Sequence, residues 1–409
     1  MTEIDFSVTV DGSPFTGAFG ADNRYHFVMG SVVGGRGAQA AQGPQAGPRG
    51  LCVWKGRALA CLILLCSIGA CAPVHGQKPA ALKAFLIDVE GGEATLFVTP
   101  TGESLLIDAG WPGFGGRDAG RIADVARKAG VKQIDTLVVT HFHVDHMGGV
   151  AQLAERLPIR RIVDHGETVD KGEQAETAFR TYAAIRSRSE HIVATPGASI
   201  PIRGLDVRVI AAGGKVLEKP LAGAGQVNPA CAGFKFHGEE ITSRAGNAED
   251  DQSVSLLIGY GAFRTIIMGD LNWNKEHPLM CPENKVGTVD VYFVSHHGAD
   301  TSGSAAFVHP LRPRVAIMNN GARKGGAAAT FPVLRESRGL EDIWQSHYSI
   351  PAAAANAPEQ FIANLETEPA ESKAPHNGPA NWIELSATAD RRFTVTNSRN
   401  GFSRQYGPN

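Results

Sequence analysis

The chain of 409 residues carries almost no net charge, with 39 lysine and arginine residues against 41 aspartate and glutamate. It therefore lacks the bulk basic footprint of a nucleic-acid-binding protein, which weighs against such a partner, although a local groove could still be basic. It also lacks an uninterrupted apolar stretch of membrane-spanning length. Its clearest apolar run, Ala58 to Ala70, falls well short of the roughly twenty residues a spanning helix needs. Cysteine is scarce, six in all, and Cys52, Cys61, Cys66 and Cys71 crowd around that run. What the chain does have is 43% apolar residues, enough for a large core, in a length that exceeds one average domain without demanding three.

Residues 1–50 read as no folded element, because Gly30 to Gly50 is dominated by Gly, Ala and Gln and has no hydrophobic period. Lys55 and Arg57 then precede the apolar run, the layout of a secretory signal. Ile68-Gly69-Ala70-Cys71 is similar to a bacterial lipobox, in which the cysteine is lipidated and becomes the mature terminus; ordinary cleavage near Gly76 is the rival. Some fifty residues ahead of a signal is far beyond the usual layout, so 1–50 is either a leader or a misplaced start, with Leu51 or Val53 as the true initiation site. The expected division is thus 1–50, a signal or lipobox at 51–76, and a globular unit at 77–409, exported to the periplasm or anchored through Cys71. Export leaves Cys231 and Cys281 as the remaining pair, and an oxidising compartment predicts a disulfide between them; two unpaired thiols in separate loops is the alternative.

Residues 140–149 read Thr-His-Phe-His-Val-Asp-His-Met-Gly-Gly, placing His141, His143, Asp145 and His146 within six positions. Three imidazoles and a carboxylate suit a borderline cation such as zinc. Gln133 to Val139 reads as a buried strand, while Val150, Leu153, Ala154 and Leu157 fall at helical spacing, so the cluster sits on a strand-to-helix turn. One short stretch could feed two metals.

Around it the chain reads as strands and helices in alternation. Thr95 to Val98 and Ser104 to Ile107 form a meander ending at Asp108, and Asp118 to Ala129 is helical, stopped by Gly130. Ile159 to Val163 is a strand with His165 at its carboxyl end, where it either lines a site or is a solvated turn residue. Glu173 to Ser189 is helical and Val207 to Ile210 a strand. Residues 211–249 form a Gly, Pro and Asn-rich insertion without clear periodicity, which either walls the site or is a flexible excursion. Asp251-Gln252-Ser253 opens a hairpin of Val254 to Ile258 and Phe263 to Met268, aimed at Gly269-Asp270; Val289 to Val294 runs straight into Ser295-His296-His297-Gly298. Beyond these, Phe307 to Pro310 reads as the end of a helix, Val315 to Met318 as a strand, Val333 to Leu340 as a helix and 351–379 as loop. A terminal hairpin follows within the extension 347–409. Both late motifs stand at the ends of buried strands, on the same rim as His141 if two halves pack sheet on sheet with outer helices. The expected class is α/β, a four-layer αββα sandwich.

Asp108, the His141 to His146 cluster, Gly269-Asp270 and His296-His297, in that order, resemble the metallo-β-lactamase superfamily over about residues 82–346. The likeness is closest to the domain of that type in bacterial competence (DNA-uptake, ComEC-like) proteins, whose Asp-Val-Gly-Gln-Gly-Asp-Ala opening is similar to residues 88–94, with Glu90 and Glu93 as departures. The resemblance implies that Asp108 supports the metal loop by hydrogen bonds. It implies that His141 and His143 hold one divalent ion, that Asp145, His146 and His297 hold another, and that Asp270 bridges; zinc is the first choice, with manganese or iron as alternatives. Asp251 either reaches the first ion or opens an Asx turn. A water activated between the ions would attack a phosphoester, with Asp145 and Asp270 shaping the centre and His296 assisting the leaving group. Arg323 and Lys324, ahead of Gly325-Gly326, either hold an anionic group of a small-molecule or cell-envelope substrate or are exposed loop cations. Three departures matter: no further histidine stands in a strand-end Gly-His context before Asp270, Ala299 replaces a serine, and Ala327 to Thr330 replaces a Gly-His-Pro. These leave two rivals, a lactone or amide (β-lactam-like) hydrolase and a lipoprotein that binds a ligand without turnover.

Overall fold

Alternation along the strands decides the layers. In Leu82–Ile87, residues Leu82, Ala84 and Leu86 join one hydrophobic cluster while Phe85 and Ile87 join another; Phe97 parts from Leu96, and Leu105 and Ile107 part from Leu106, in the same way. A strand with period two that is apolar on both faces must be covered on both. One cluster fills the space between the two sheets and continues onto the helices that cover the second. The other packs the outer face of the first sheet against helices Arg117–Lys128, Val150–Ala154 and Glu173–Arg186, through Ile122, Val125, Leu153, Phe179 and Tyr182.

The computed structural model describes residues 81–238, 247–352, 355–365, 378 and 380–408, together with the strands Ile4–Val10, Ser13–Phe19 and Tyr25–Met29. Those three strands pair in sequence as an antiparallel meander, where the composition of residues 1–50 predicts no folded element. The signal-like run 51–76, with Cys71, lies outside the described residues. Among the described residues no helix is long and apolar enough to cross a membrane.

The first sheet runs Ser403–Tyr406, Phe393–Asn397, Trp382–Ala387, Leu82–Ile87, Thr95–Val98, Ser104–Ile107, Thr136–Val138, Arg161–Asp164, Glu190–Val193. It is antiparallel up to Ser104–Ile107 and parallel from there on. The second sheet repeats the plan: Ser199–Ile200, Asp206–Ala212, Ser255–Tyr260 and Phe263–Ile267 are antiparallel, and Val291–Phe293, Val315–Met318, Asp342–His347 and Ile362–Asn364 continue in parallel. Helices Ala305–Leu311 and Thr330–Arg335 contribute Phe307, Val308, Phe331 and Leu334 to the cluster on this side. The molecule is the expected αββα sandwich. Its parallel strands deliver their carboxyl ends to one rim.

Further segments differ from the sequence reading; the helix expected at Val333 to Leu340 lies at Thr330–Arg335. Asp342–His347 is a nearly fully buried strand although it reads Asp-Ile-Trp-Gln-Ser-His, because Gln345 and His347 are held in hydrogen bonds to Asn356 and Asp88. The stretch expected as loop contains the edge strand Ile362–Asn364, too short to show a period. The insertion is anchored rather than free: Gln226–Val227 pairs with Glu283–Asn284, and Cys231 is bonded to Cys281 with Cα atoms 5.8 Å apart, as predicted.

Candidate metal centre

The strand Ser104–Ile107 ends at Asp108, which turns with φ 57° and is fully buried. Its Oδ1 accepts from the Thr140 N–H at 2.7 Å, and its Oδ2 accepts from the Thr140 hydroxyl at 2.7 Å and from His146 Nδ1 at 2.8 Å. The last bond fixes the ring so that Nε2 is turned inward with its lone pair free. Asp108 is therefore the support that the sequence implies, and it is tied to both the metal loop and the ligand.

That Nε2 faces a tight group. His297 Nε2 lies 3.1 Å away and Asp145 Oδ2 3.2 Å, while Asp270 Oδ2 lies 3.3 Å from both imidazoles and His297 Nε2 is 3.2 Å from Asp145. Four ligands about 2.0 Å from a tetrahedral ion stand about 3.3 Å from one another, so this donor set fits a divalent cation without rearrangement. All four residues are buried. Burial works against charge on Asp145 and Asp270. Even so, Lys324 and His146 hold Asp145 well below the usual carboxylate range, and His296, His146 and His297 do the same for Asp270.

A second group adjoins it. His141 Nε2 is 2.9 Å from His143 Nδ1, Asp250 Oδ1 is 3.0 Å from His143 and 3.4 Å from His141, and Asp270 Oδ2 lies 3.9 Å from His141. Burial, with His146 and His143 nearby, keeps His141 well below the ordinary imidazole value, so it stays in the neutral form that ligates. Asp250 Oδ1 is buried with no hydrogen-bond donor. A lone carboxylate oxygen beside two imidazoles is the arrangement a second cation would satisfy. Asp270 stands between the two groups.

Asp250 thus occupies the position considered for Asp251. It stands in the helical turn Asn247–Asp250, and adjacent residues on such a turn point about 100° apart. Asp251 faces away and accepts a bond from Asn272 Nδ2 at 3.3 Å. The preceding residue explains how Asp250 is aimed. Glu249 is fully buried and accepts from the Phe142 N–H, His165 Nε2, the Thr168 hydroxyl and the Val169 N–H at 2.8–3.0 Å. Burial opposes its charge, but these donors, His165 first, bring the carboxyl down to about 2. His165 accordingly does not face a substrate. It packs on Phe142 and holds Glu249, which clamps the returning end of the insertion to the metal loop.

In Ser295–Gly298, His296 and His297 both adopt left-handed backbone, φ 51° and 53°, and Gly298 follows at φ 79°, where a side chain would collide with Met318 Sδ at 2.7 Å. The double turn sends the two imidazoles different ways. His297 enters the four-donor group; His296 stays partly open, with Nε2 3.4 Å from Asp270 Oδ2 and Nδ1 beside the Ser302 and Thr301 hydroxyls at 3.1 and 3.2 Å. Lys324 pairs with Asp145 and lies over the Trp111 ring at 5.0 Å, whereas Arg323 is exposed and makes no ion pair among the described residues. Of the two cations expected at a substrate, Lys324 alone reaches the centre. Glu93, pushed up to about 7 by burial, accepts from the Thr95 hydroxyl at 2.6 Å and from Asn319.

A four-layer αββα sandwich with two His/Asp groups sharing one carboxylate at the strand-end rim defines a class, and the match to a family model bears it out: residues 88–318, more than half of the chain, match the metallo-β-lactamase superfamily. The chain belongs to that superfamily, whose members bind divalent metals, often two. Among curated proteins it is 26% identical over 194 residues to ComE operon protein 3 of Bacillus subtilis, covering 47% of this chain and 20% of that one. It is 24% identical over 236 residues to Recombination protein 2 of Haemophilus influenzae, covering 58% and 24%. The chain thus spans about a fifth to a quarter of the length of these relatives. Among solved structures it is similar to the metallo-β-lactamase fold protein YhfI of Bacillus subtilis, with 12% identity, a TM-score of 0.38 and coverage of 65% of this chain and 96% of that one. A diphosphatase of the PhnP family matches with 11% identity and a TM-score of 0.35, over 66% and 96%.

Proposed function

We propose that the chain is an exported hydrolase of a small-molecule or cell-envelope phosphoester, working with two divalent ions that are zinc by donor chemistry, with manganese or iron as alternatives. The observation that carries this reading is Asp270 Oδ2, a single ionised oxygen that closes the four-donor group at 3.3 Å and faces the His141, His143 and Asp250 group at 3.9 Å. Bound divalent ions would polarise the phosphoryl oxygens and lower the pKa of water at this centre. His141, His143, Asp250 and Asp270 would hold one ion; Asp145, His146, His297 and Asp270 would hold the other.

The chain's own groups supply the rest. His296 is the imidazole at the centre that is partly open to solvent, and with Nδ1 beside two hydroxyls it can present a proton on Nε2 to a leaving oxygen. Lys324 places an ammonium at the edge of the ligand group, where an anionic substrate would meet it. Asp108 keeps His146 in one tautomer throughout. The Cys231–Cys281 bond supports export, since such bonds persist in oxidising compartments. We further propose that 51–76 is the export signal, with Cys71 as a lipid anchor.

The test is a parallel assay of a generic phosphodiester, a lactone and a chromogenic β-lactam, alongside elemental analysis. Phosphodiester turnover with about two ions per chain is expected. Turnover confined to the lactone or β-lactam would overturn the phosphoester assignment, and one ion or none without turnover would mark a binding protein.

A further inference from the structure

At the end of the second sheet opposite the metal centre, a cavity of about 270 Å³ is lined by Thr288, Val289, Arg312, Arg314, Arg338 and Arg391. These residues precede the strands Val291–Phe293, Val315–Met318 and Asp342–His347 or lie in the turn before Phe393–Asn397, so they cluster at the amino ends of those strands, of which Val291–Phe293 leads at its carboxyl end to His297. Four guanidinium groups around one small space repel one another unless anions offset them. The protein offsets only two. Arg314 donates Nε and Nη2 to Glu341 at 2.9 and 2.6 Å, and Arg391 donates Nε and Nη2 to Asp290 at 2.9 and 2.8 Å. Arg312 and Arg338 are exposed and have no acidic partner within ion-pair distance among the described residues. Arg314, only 7% exposed, also lies over the Phe393 and Tyr406 rings at 5.6 and 5.9 Å, so it is held in place at the wall of the space. A guanidinium fork fits oxyanions best, and the exposed Arg312 and Arg338 present theirs without a protein carboxylate.

We propose that this cavity is a second binding site, separate from the metal centre, for a phosphate-type oxyanion, borne either by a free small molecule or by a lipid headgroup. It does not rest on the hydrolytic reading. The probe is inorganic phosphate, titrated calorimetrically at constant ionic strength into the full metal-loaded chain, into Arg312→Ala/Arg338→Ala, and into Asp270→Asn, which reports on the metal centre. Both arginines are exposed, so the double variant should keep its fold and metal content. Phosphate binding that persists in Asp270→Asn and weakens at least tenfold in the double variant assigns a free oxyanion. Co-sedimentation with phosphatidylglycerol vesicles that is lost in the double variant assigns a headgroup. If the double variant binds phosphate as tightly as the parent and neither protein binds vesicles, or if no binding is seen to either probe, the site does not exist.

Discussion

The two donor groups at the rim are built differently. In one, Asp145, His146, Asp270 and His297 all come from short motifs at strand ends, and the four ligand atoms already stand at tetrahedral spacing. In the other, His141 and His143 come from the same motif, but the carboxylate is Asp250, at the returning end of the insertion, positioned by a clamp between Glu249 and His165. The first is part of the fold. The second depends on how a loop is tied down, so a change in that loop would act first on the His141, His143 and Asp250 group.

The largest effect should follow from removing the shared ligand. Asp270→Asn or His297→Ala is expected to lower turnover by at least about a thousandfold with the circular dichroism spectrum retained, because these side chains serve the ions rather than the core. Elemental analysis showing both ions in either variant would undo the ligand assignment. Asp250→Ala is expected to remove one ion per chain and spare the other, with turnover reduced on the order of a hundredfold. Asp251→Asn serves as the control and should change metal content little. The opposite pattern would reverse the comparison between Asp250 and its neighbour.

A smaller effect is expected from the clamp. His165→Ala leaves the Glu249 carboxylate with one donor fewer, and such support is commonly worth about ten- to a hundredfold in metal affinity. The loss should fall on one ion only, read by competition with a chelator that resolves two affinities; an equal loss at both would mean that the two groups are not independently held. Reducing Cys231–Cys281, which spans 50 residues, should cost roughly 4 kcal/mol by the chain-entropy estimate, seen as a lower denaturation midpoint under reductant.

What could be read in advance follows the same divide. Strand-end motifs are legible because ligand type and spacing are local: Asp108, His141 to His146, Asp270 and His297 are read from short runs and all converge. Asp250 is not legible because nothing local distinguishes it from Asp251, for which the sequence leaves both a ligand and a turn role open; the choice is made by Glu249, whose partners Phe142 and His165 lie 84 or more positions away. His165 meets neither expectation for a related reason, since a strand-end histidine looks the same whether it faces a substrate, the solvent or a buried carboxylate. The strand Asp342–His347 is not legible because it is buried on both faces with its polar side chains satisfied, Gln345 by Asn356 in the following loop and His347 by Asp88 in the other half of the chain, which removes the alternation that a half-exposed strand would show.

The smallest expected effect on turnover concerns a second buried glutamate, set against Glu249. Glu276 lies beneath the loop that carries Thr301 and Ser302, accepting from the Gly303 N–H at 2.8 Å and the Ser304 N–H at 3.2 Å, and that loop meets His296. Both carboxyls are buried, yet Glu249 is brought down to about 2 by its donors while Glu276, with burial outweighing its two backbone donors, is pushed up to about 8. The two therefore act on stability in opposite pH ranges. Between about pH 4.5 and 8 the unfolded chain has released the Glu276 proton while the folded chain still holds it, so stability falls as pH rises through that window. For Glu249 the folded group releases its proton first, so its contribution is full above about pH 4.5 and is lost as pH falls toward 2. Glu276→Gln keeps the shape and an acceptor but cannot ionise. It should flatten the upper limb, raising stability at pH 8.5 relative to the parent by an amount on the order of a few kcal/mol, and leave the acid limb unchanged. Urea denaturation from pH 3 to 9 separates the limbs. A parent whose stability does not decline between pH 5 and 8, or a variant that declines in parallel with it, would show that Glu276 is ionised in the fold and that the two glutamates are alike.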